Sequence, residues 1–295
     1  MAIAGIEWLK RLLWIACAAS LAAVSLAACE PGGPAAEPEL DSAEAVQAAA
    51  AVTLAEAAIA AYEADPEGTF EELSTPGGPW QIGEMYVFVI DRNSVIQAHA
   101  ADPGLVGLDL SETVDSDGYL FTPGLVEQAS EDGGWDIYRF TNPVTGEAEP
   151  KRSYVRLLDD GLILGVGYYL DETRFVKHIV NDALAVWETE FDPIQIYQTD
   201  PRFNRGEAYL FVVRARDLVS LATQAEPQLV GTSLADLTDH TGKKFALEGR
   251  ALADADGEWL YYGYLNPDTG AEEQKQSWLV RVDEVIIGAG FYRPL

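Results

Sequence analysis

Two lysines stand out in a chain that has few. Apart from Lys10, lysine occurs only at Lys151, Lys177, Lys243, Lys244 and Lys275, and two of these fall at matching places, Lys151 with Ser153 and Lys275 with Ser277. In an acidic protein, one ammonium facing a pocket gives a carboxylate-bearing ligand its local partner. The alternative for each is a strand-edge lysine that snorkels or pairs with a neighbour such as Glu149 or Glu273. His99 can donate to a carboxylate at neutral pH, or it can be a histidine satisfied within the core. Tyr138 with Phe140, and Tyr262 with Tyr264, are spaced by two and so share a strand face, while Tyr154 and Trp278 match each other, as do Trp135 and Trp259. The ligand-binding candidates are Lys151, His99, Tyr138, Tyr154, Trp135, Lys275, Tyr262 and Trp278.

Other chemistries find little support. Asp115-Ser116-Asp117-Gly118 and Asp254-Ala255-Asp256-Gly257 are similar to parts of calcium loops but lack the full ligand spacing with a terminal Glu, so they read as turns. His99, His178 and His240 are isolated from one another, and no metal or other cofactor is expected. There is no G-x-S-x-G elbow, so no catalytic residue is assigned and an enzyme is not expected. The net charge of -29, from 48 acids against 19 bases, repels phosphate backbones and argues against a nucleic-acid partner.

The elements that must position these residues occur twice. Glu84-Met85-Tyr86-Val87-Phe88 returns as Glu207-Ala208-Tyr209-Leu210-Phe211, and Asn142-Pro143-Val144-Thr145-Gly146 returns as Asn266-Pro267-Asp268-Thr269-Gly270, about 123 residues later. Leu105-Val106-Gly107, Asp115, Gly118, Trp135 and Tyr138 recur in order as Leu229-Val230-Gly231, Asp239, Gly242, Trp259 and Tyr262. Ala222 then falls opposite His99, which predicts that the first copy binds and the second is degenerate. Composition predicts a helix over 42–65 capped by Ser42, a break over 71–81, and a hairpin over 85–100 turning at Asp91-Arg92-Asn93. A loop over 102–118, a short helix over 120–131, and strands over 135–141, 152–158 and 162–170 follow. A second long helix runs from Asp171-Glu172-Thr173 to about residue 190 and precedes the second copy as the first helix precedes the first. The fold class is α+β, each unit a central antiparallel sheet with a long N-terminal helix and a short helix in the ligand loop.

The N-terminus carries its own signal. Lys10 and Arg11 precede an uncharged apolar run over 12–28 that ends in Leu26-Ala27-Ala28-Cys29, the layout of a secretory signal peptide over 1–28. Leu-Ala-Ala-Cys resembles a bacterial lipobox, which implies lipidation of Cys29 and an extracytoplasmic, lipid-anchored place in the cell envelope; the alternative is an uncleaved membrane anchor, the apolar run being just short of a span of about 20 residues. Residues 29–41 are Pro- and Gly-rich and read as a flexible tether, and no second apolar span is read after it. The only cysteines are Cys17 and Cys29, so no disulfide is expected in the mature protein.

Taken in order, Tyr86-Val87-Phe88-Val89-Ile90-Asp91, Ala98-His99-Ala100, Leu105-Val106-Gly107, Trp135-Asp136-Ile137-Tyr138, Asn142-Pro143, Pro150-Lys151-Arg152-Ser153-Tyr154-Val155 and Ile163-Leu164-Gly165-Val166-Gly167 resemble the Cache domains, PAS-like extracytoplasmic sensor modules of the single-Cache type. The usual His-Pro of that family reads His99-Ala100. The resemblance implies two tandem units, 42–170 and 171–295, with a pocket between the sheet and the long loop for a small organic acid or amino acid. It also implies a stand-alone sensor that reports to a membrane receptor or kinase partner. The competing reading is a structural or adaptor envelope lipoprotein that contacts a partner protein through its acidic surface.

Overall fold

The computed structural model describes residues 40–293. The signal peptide over 1–28, Cys29 and the tether up to residue 39 lie outside the described residues. An alanine-rich run without Gly or Pro forms the leading helix Ser42–Ala64. Its cap is Asp41, one residue earlier than the sequence suggests: Asp41 Oδ1 accepts from the amides of Ala43 and Glu44 at 2.9 Å each. Ala48, Ala51, Leu54, Ala55, Ala58 and Ile59 form its buried stripe at helical spacing. Glu44, also buried, accepts from the Tyr168 hydroxyl at 3.1 Å and lies 3.9 Å from Arg152. By length and composition alone this helix is long and apolar enough to cross a membrane, a test that a core helix also passes, and its buried stripe is packed within the fold.

Two short helices, Pro66–Leu73 and Pro193–Thr199, were not expected. Both begin at Asp-Pro, where Asp65 accepts from Gly68 N and Asp192 from Gln195 N while Pro pre-sets the first helical φ. The second long helix, Glu172–Thr189, is capped by Asp171 and buries Phe175, Val176, Ile179, Val180 and Ala183.

The strands are β1 Gln81–Ile82, β2 Met85–Ile90, β3 Ile96–His99, β4 Gly134–Thr141, β5 Ala148–Leu157 and β6 Ile163–Tyr169, then β7 Asn204–Arg205, β8 Ala208–Arg214, β9 Val219–Thr223, β10 Glu258–Leu265, β11 Glu272–Val282 and β12 Val285–Arg293. They build two six-stranded sheets of one topology, β1-β2-β6-β5-β4 with β3 on β2, and β7-β8-β12-β11-β10 with β9 on β8. The α+β expectation is met in both copies, with short helices Phe121–Gln128 and Phe245–Leu252 where the ligand-loop helix was expected. The described chain divides into two compact units, one of 40–111, 122–136 and 152–168, the other of 112–121, 137–151 and 169–293.

In the second sheet, both faces are buried and the residues alternate strictly. Leu210, Val212, Val280, Ile287, Ala289 and Phe291 pack with the helix Glu172–Thr189. Leu260, Tyr262, Leu279 and Ile286 pack with Phe245 on the opposite face. The Asn-Pro-x-Thr-Gly segments close their hairpins as read, Asn142 O accepting from Gly146 N at 2.8 Å and Asn266 O from Gly270 N at 2.9 Å.

Gly257 combines two constraints. Its φ is +84°, and a Cβ there would lie 2.3 Å from the Trp278 ring. Left-handed φ costs an ordinary residue about 1–2 kcal/mol and overpacking about 1–3 more. Gly257→Ala should therefore lower unfolding free energy by about 2–5 kcal/mol in a urea titration; an unchanged midpoint would show that neither the backbone strain nor the Trp278 contact carries energy.

Candidate functional site

Lys275 sits at the centre of a row across three strands. Tyr262 on β10 and Tyr292 on β12 are its cross-strand partners, and side chains in register share one face. The residue is 1 % exposed, so the strand-edge alternative does not hold. Glu273, the neighbour that could have paired with it, instead accepts from Asn266 Nδ2 at 3.1 Å and Thr269 Oγ1 at 2.7 Å inside the hairpin turn. Lys275 Nζ lies 3.5 Å from the Tyr209 ring centroid and 4.7 Å from that of Tyr292, and donates to Tyr292 Oη at 3.1 Å. Burial pushes its pKa well below the ordinary lysine value, with the charge of Glu226 acting weakly in the other direction.

A polar network extends from this amine. Tyr292 Oη is 2.9 Å from Tyr209 Oη, and Tyr209 in turn donates to Glu226 Oε2 at 3.3 Å. Tyr264 donates to both Glu226 oxygens, at 3.1 and 2.9 Å. Tyr262 Oη lies 3.2 Å from Ser277 Oγ. The helix Phe245–Leu252 roofs the group, its Phe245 ring stacked on Tyr262 at 4.6 Å and set edge-on to Tyr264 at 5.5 Å. Between roof and sheet lies a cavity with ≈ 70 Å³ open to the centres of water-sized molecules, lined by Lys275, Glu226, Thr223, Tyr209, Tyr262 and apolar residues such as Leu229. Room for one water takes about 10–15 Å³ on that measure, so the cavity has space for more than a single water. Thr223 is 4 % exposed, and its Oγ1 has no hydrogen-bond partner among the described residues. A buried hydroxyl without a partner costs about 1–3 kcal/mol unless something fills the place.

The first copy repeats part of this arrangement. Lys151, 1 % exposed, has its Nζ 5.4 Å from the Phe140 ring centroid, 5.7 Å from Tyr169 and 5.9 Å from Tyr138, and burial pushes its pKa well below the ordinary value. Glu149 is taken by Asn142 and Thr145, as Glu273 is in the second copy. Tyr138 is buried and stacks on Phe121 at 5.0 Å. His99 is also buried; its Nδ1 accepts from Asp102 N at 2.9 Å, and its ring centroid is 4.8 Å from that of Tyr86.

The strand register corrects one equivalence. His99 pairs with Phe88, and the matching Phe211 pairs with Thr223; Ala222 is instead the counterpart of Ala98. The hairpin of the second copy is one residue longer between Val213 and Ser220 than its counterpart between Ile90 and Ile96, so constant spacing slips by one past the turn. The second copy therefore keeps a polar side chain where the sequence comparison placed an alanine.

Trp135, Tyr154 and Trp278 are placed away from the lysines. Trp278 is three residues from Lys275 on β11, and so on the opposite face, where it packs against Trp259 at 5.3 Å and receives Lys177 Nζ 4.1 Å from its ring centroid. Tyr154 packs against Trp135 at 5.3 Å and donates to Asp132 O at 3.3 Å, while Arg152 lies 4.3 Å from the Trp135 ring centroid. Trp278 and Trp259 pack against the core cluster that includes Phe175, Val176 and Ile179 of the helix Glu172–Thr189. Sequence reasoning missed Thr223, Glu226, Tyr209, Tyr264 and Tyr292. The tyrosines were legible as same-face neighbours of Lys275, and Glu226 as the counterpart of Asp102.

A family model described as Single Cache domain 2 matches residues 40–179 and 192–293. Several solved structures are similar at low identity. The methyl-accepting chemotaxis protein from Vibrio parahaemolyticus RIMD 2210633 is 20% identical over 44% of this chain and 93% of that one, with a TM-score of 0.39. A Cache chemosensory domain solved for its carboxylic acid recognition is 23% identical over 45% of this chain and 100% of that one, with a TM-score of 0.38. The ligand-binding domain of the Pseudomonas fluorescens chemoreceptor CtaA, in complex with L-alanine, is 11% identical over 82% of this chain and 87% of that one, with a TM-score of 0.26.

Proposed function

Because the chain belongs to the single Cache domain 2 family of extracytoplasmic ligand-sensing modules, we propose that it is a lipid-anchored envelope sensor for a small carboxylate-bearing ligand. In this reading, tandem units over 42–170 and 171–295 follow a signal peptide and a lipidated Cys29, and a membrane receptor or kinase hears the bound state. The observation that carries the reading is Lys275: a buried amine in a cavity wall that makes no ion pair among the described residues. A ligand carboxylate would supply the missing partner, with Thr223 Oγ1 donating a second hydrogen bond. Lys151, in its own ring of Tyr138, Phe140 and Tyr169, is assigned the same role in the first unit. The reading thus moves the main weight from the first copy to the second, whose cavity and unsatisfied hydroxyl support it.

A thermal-shift screen of small organic acids and amino acids on the mature full-length chain tests this. A binder present at a hundredfold excess over its Kd should stabilise the protein by about 2.7 kcal/mol. Because burial disfavours the charged amine, carboxylate binding should draw a proton onto Lys275. Calorimetry in buffers of different ionisation enthalpy, run between the lowered pKa of Lys275 and the ordinary lysine value, should therefore report net proton uptake. A screen in which no acid stabilises the folded chain would overturn the reading.

A further inference from the structure

Lys275 is joined to a carboxylate through two hydroxyls. Its Nζ lies 3.1 Å from Tyr292 Oη, that oxygen lies 2.9 Å from Tyr209 Oη, and Tyr209 donates to Glu226 Oε2 at 3.3 Å. Each hydroxyl can accept a proton on one side and donate one on the other, so the row is a path along which an ammonium proton can pass to Glu226. Tyr264 fixes the far end by donating to both Glu226 oxygens. Pairing with a carboxylate calls for the ammonium and uses no such path; a group that reacts as the free amine needs one. Burial acts in the same direction, because it pushes the Lys275 pKa well below the ordinary value and so enlarges the share of free amine.

The first copy shows that the fold does not require a carboxylate at the end of this row. Asp102, the counterpart of Glu226, caps the short 3₁₀ turn Pro103–Leu105 by accepting from Gly104 N at 3.0 Å. Glu226 stands at the same place before Pro227–Leu229 and makes no side-chain capping bond. One added methylene carries its carboxylate off the turn and onto the tyrosines. The second copy gives up a cap and gains a proton acceptor.

We propose that Lys275 captures small aldehydes covalently, as an imine on Nζ, in the cavity of the second unit. The amine lone pair forms a bond to the carbonyl carbon, and the carbonyl oxygen takes up a proton. That oxygen then leaves as water with the two amine hydrogens, so an aldehyde R–CHO and Lys275 give R–CH=N–Lys275 and water. Tyr292 stands within hydrogen-bond reach of the reacting nitrogen and accepts the proton it sheds, which Tyr209 and Glu226 carry further. The aldehyde is uncharged, and Leu229, Leu234, Leu260 and Ile286 offer its alkyl group an apolar wall. A protonated imine is a cation, favoured by the Tyr209 ring, whose centroid is 3.5 Å from Nζ, and by the charge of Glu226. No carboxylate is needed on the ligand, so the capture stands apart from the reading above.

Acetaldehyde with cyanoborohydride tests this on the mature full-length chain at neutral pH, because reduction fixes each imine as an N-ethyl lysine that peptide mass mapping locates. Lys275 should be ethylated about tenfold or more faster than Lys243 and Lys244, whose ammonium groups are held in ion pairs with Glu248 and Asp236, since each unit by which a pKa is lowered raises the free amine about tenfold. In the urea-unfolded chain the difference should vanish. If Lys275 of the folded chain reacts no faster than Lys243 and Lys244, the capture is overturned, whether or not any organic acid binds. That comparison needs no variant. Glu226→Gln separates the proton path from the charge. Loss of the negative charge lowers the Lys275 pKa further and by itself speeds the reaction, whereas loss of the proton acceptor slows it. Trapping at Lys275 should be about tenfold slower in folded Glu226→Gln, with Lys243 and Lys244 unchanged. Trapping as fast as in the native chain, or faster, overturns the role of Glu226.

Discussion

Lys275→Met should lose carboxylate binding at the second unit's cavity and yet melt at a higher temperature than the native protein. Methionine has a similar length, fits irregular apolar space, and needs no proton or partner among the Tyr209, Tyr264 and Tyr292 rings. Replacing buried charged groups by hydrophobic ones of like volume is commonly neutral to stabilising by about 1–4 kcal/mol. The loss of the Nζ to Tyr292 Oη hydrogen bond offsets part of this, and Tyr292 keeps its bond to Leu265 O at 3.1 Å. The pH dependence separates the two proteins further. With the folded pKa of Lys275 lowered, the unfolded chain binds more protons at this residue between that value and the ordinary lysine pKa, so native stability rises with pH through the window and falls on acidification. The variant lacks this slope. Urea titrations at several pH values, read beside ligand titrations, give both results; a variant that binds acids with unchanged affinity and stoichiometry would remove Lys275 from the site.

Asp115→Ala should be among the most damaging single changes outside the apolar core. Asp115 reads as a turn residue, and the turn is there: its Oδ1 accepts from the amides of Asp117 and Tyr119 at 2.9 Å each. Its Oδ2 accepts from Arg139 N and from Arg205 Nη2, both at 2.8 Å. The Arg205 and Asp115 side chains are 3 % and 0 % exposed, and Arg205 Nε already has no partner, although Nη1 donates to Ile137 O at 2.9 Å. Removing the carboxylate would leave a guanidinium buried over the Tyr119 ring without its counter-charge, and breaking a buried pair from one side costs about 3–5 kcal/mol. Asp239, the counterpart in the second copy, takes the amides of Thr241, Lys243 and Gly263 but has no buried arginine. Asp239→Ala should therefore cost clearly less. Equal losses measured by urea denaturation would mean that the turn, rather than the ion pair, carries the energy.

Much of the architecture was legible because it depends on local chemistry repeated twice. The Asn-Pro-x-Thr-Gly turns, the period-two aromatic rows and the two lysines all lie where the residues place them. Tyr154 and Trp278 each stand three residues from the lysine of their own strand, and Trp135 three from Tyr138 on β4, so alternation alone places them on the opposite face. The short helices at Asp65-Pro66 and Asp192-Pro193 were likewise readable from an Asp cap followed by Pro.

His99 and Thr223 show where such reading stops. Their equivalence depends on one extra hairpin residue, and only the pairing of Phe88 with His99 and of Phe211 with Thr223 reveals the slip. The repeat, the α+β class and the pair of strand lysines follow from the residues alone, because turns, caps and alternation act over a few residues. That Lys275, Thr223 and Glu226 face one cavity is a product of long-range folding. They come from separate strands and a loop, and their meeting depends on long-range pairing and on which hydrogen bonds Glu226 makes once its turn is closed.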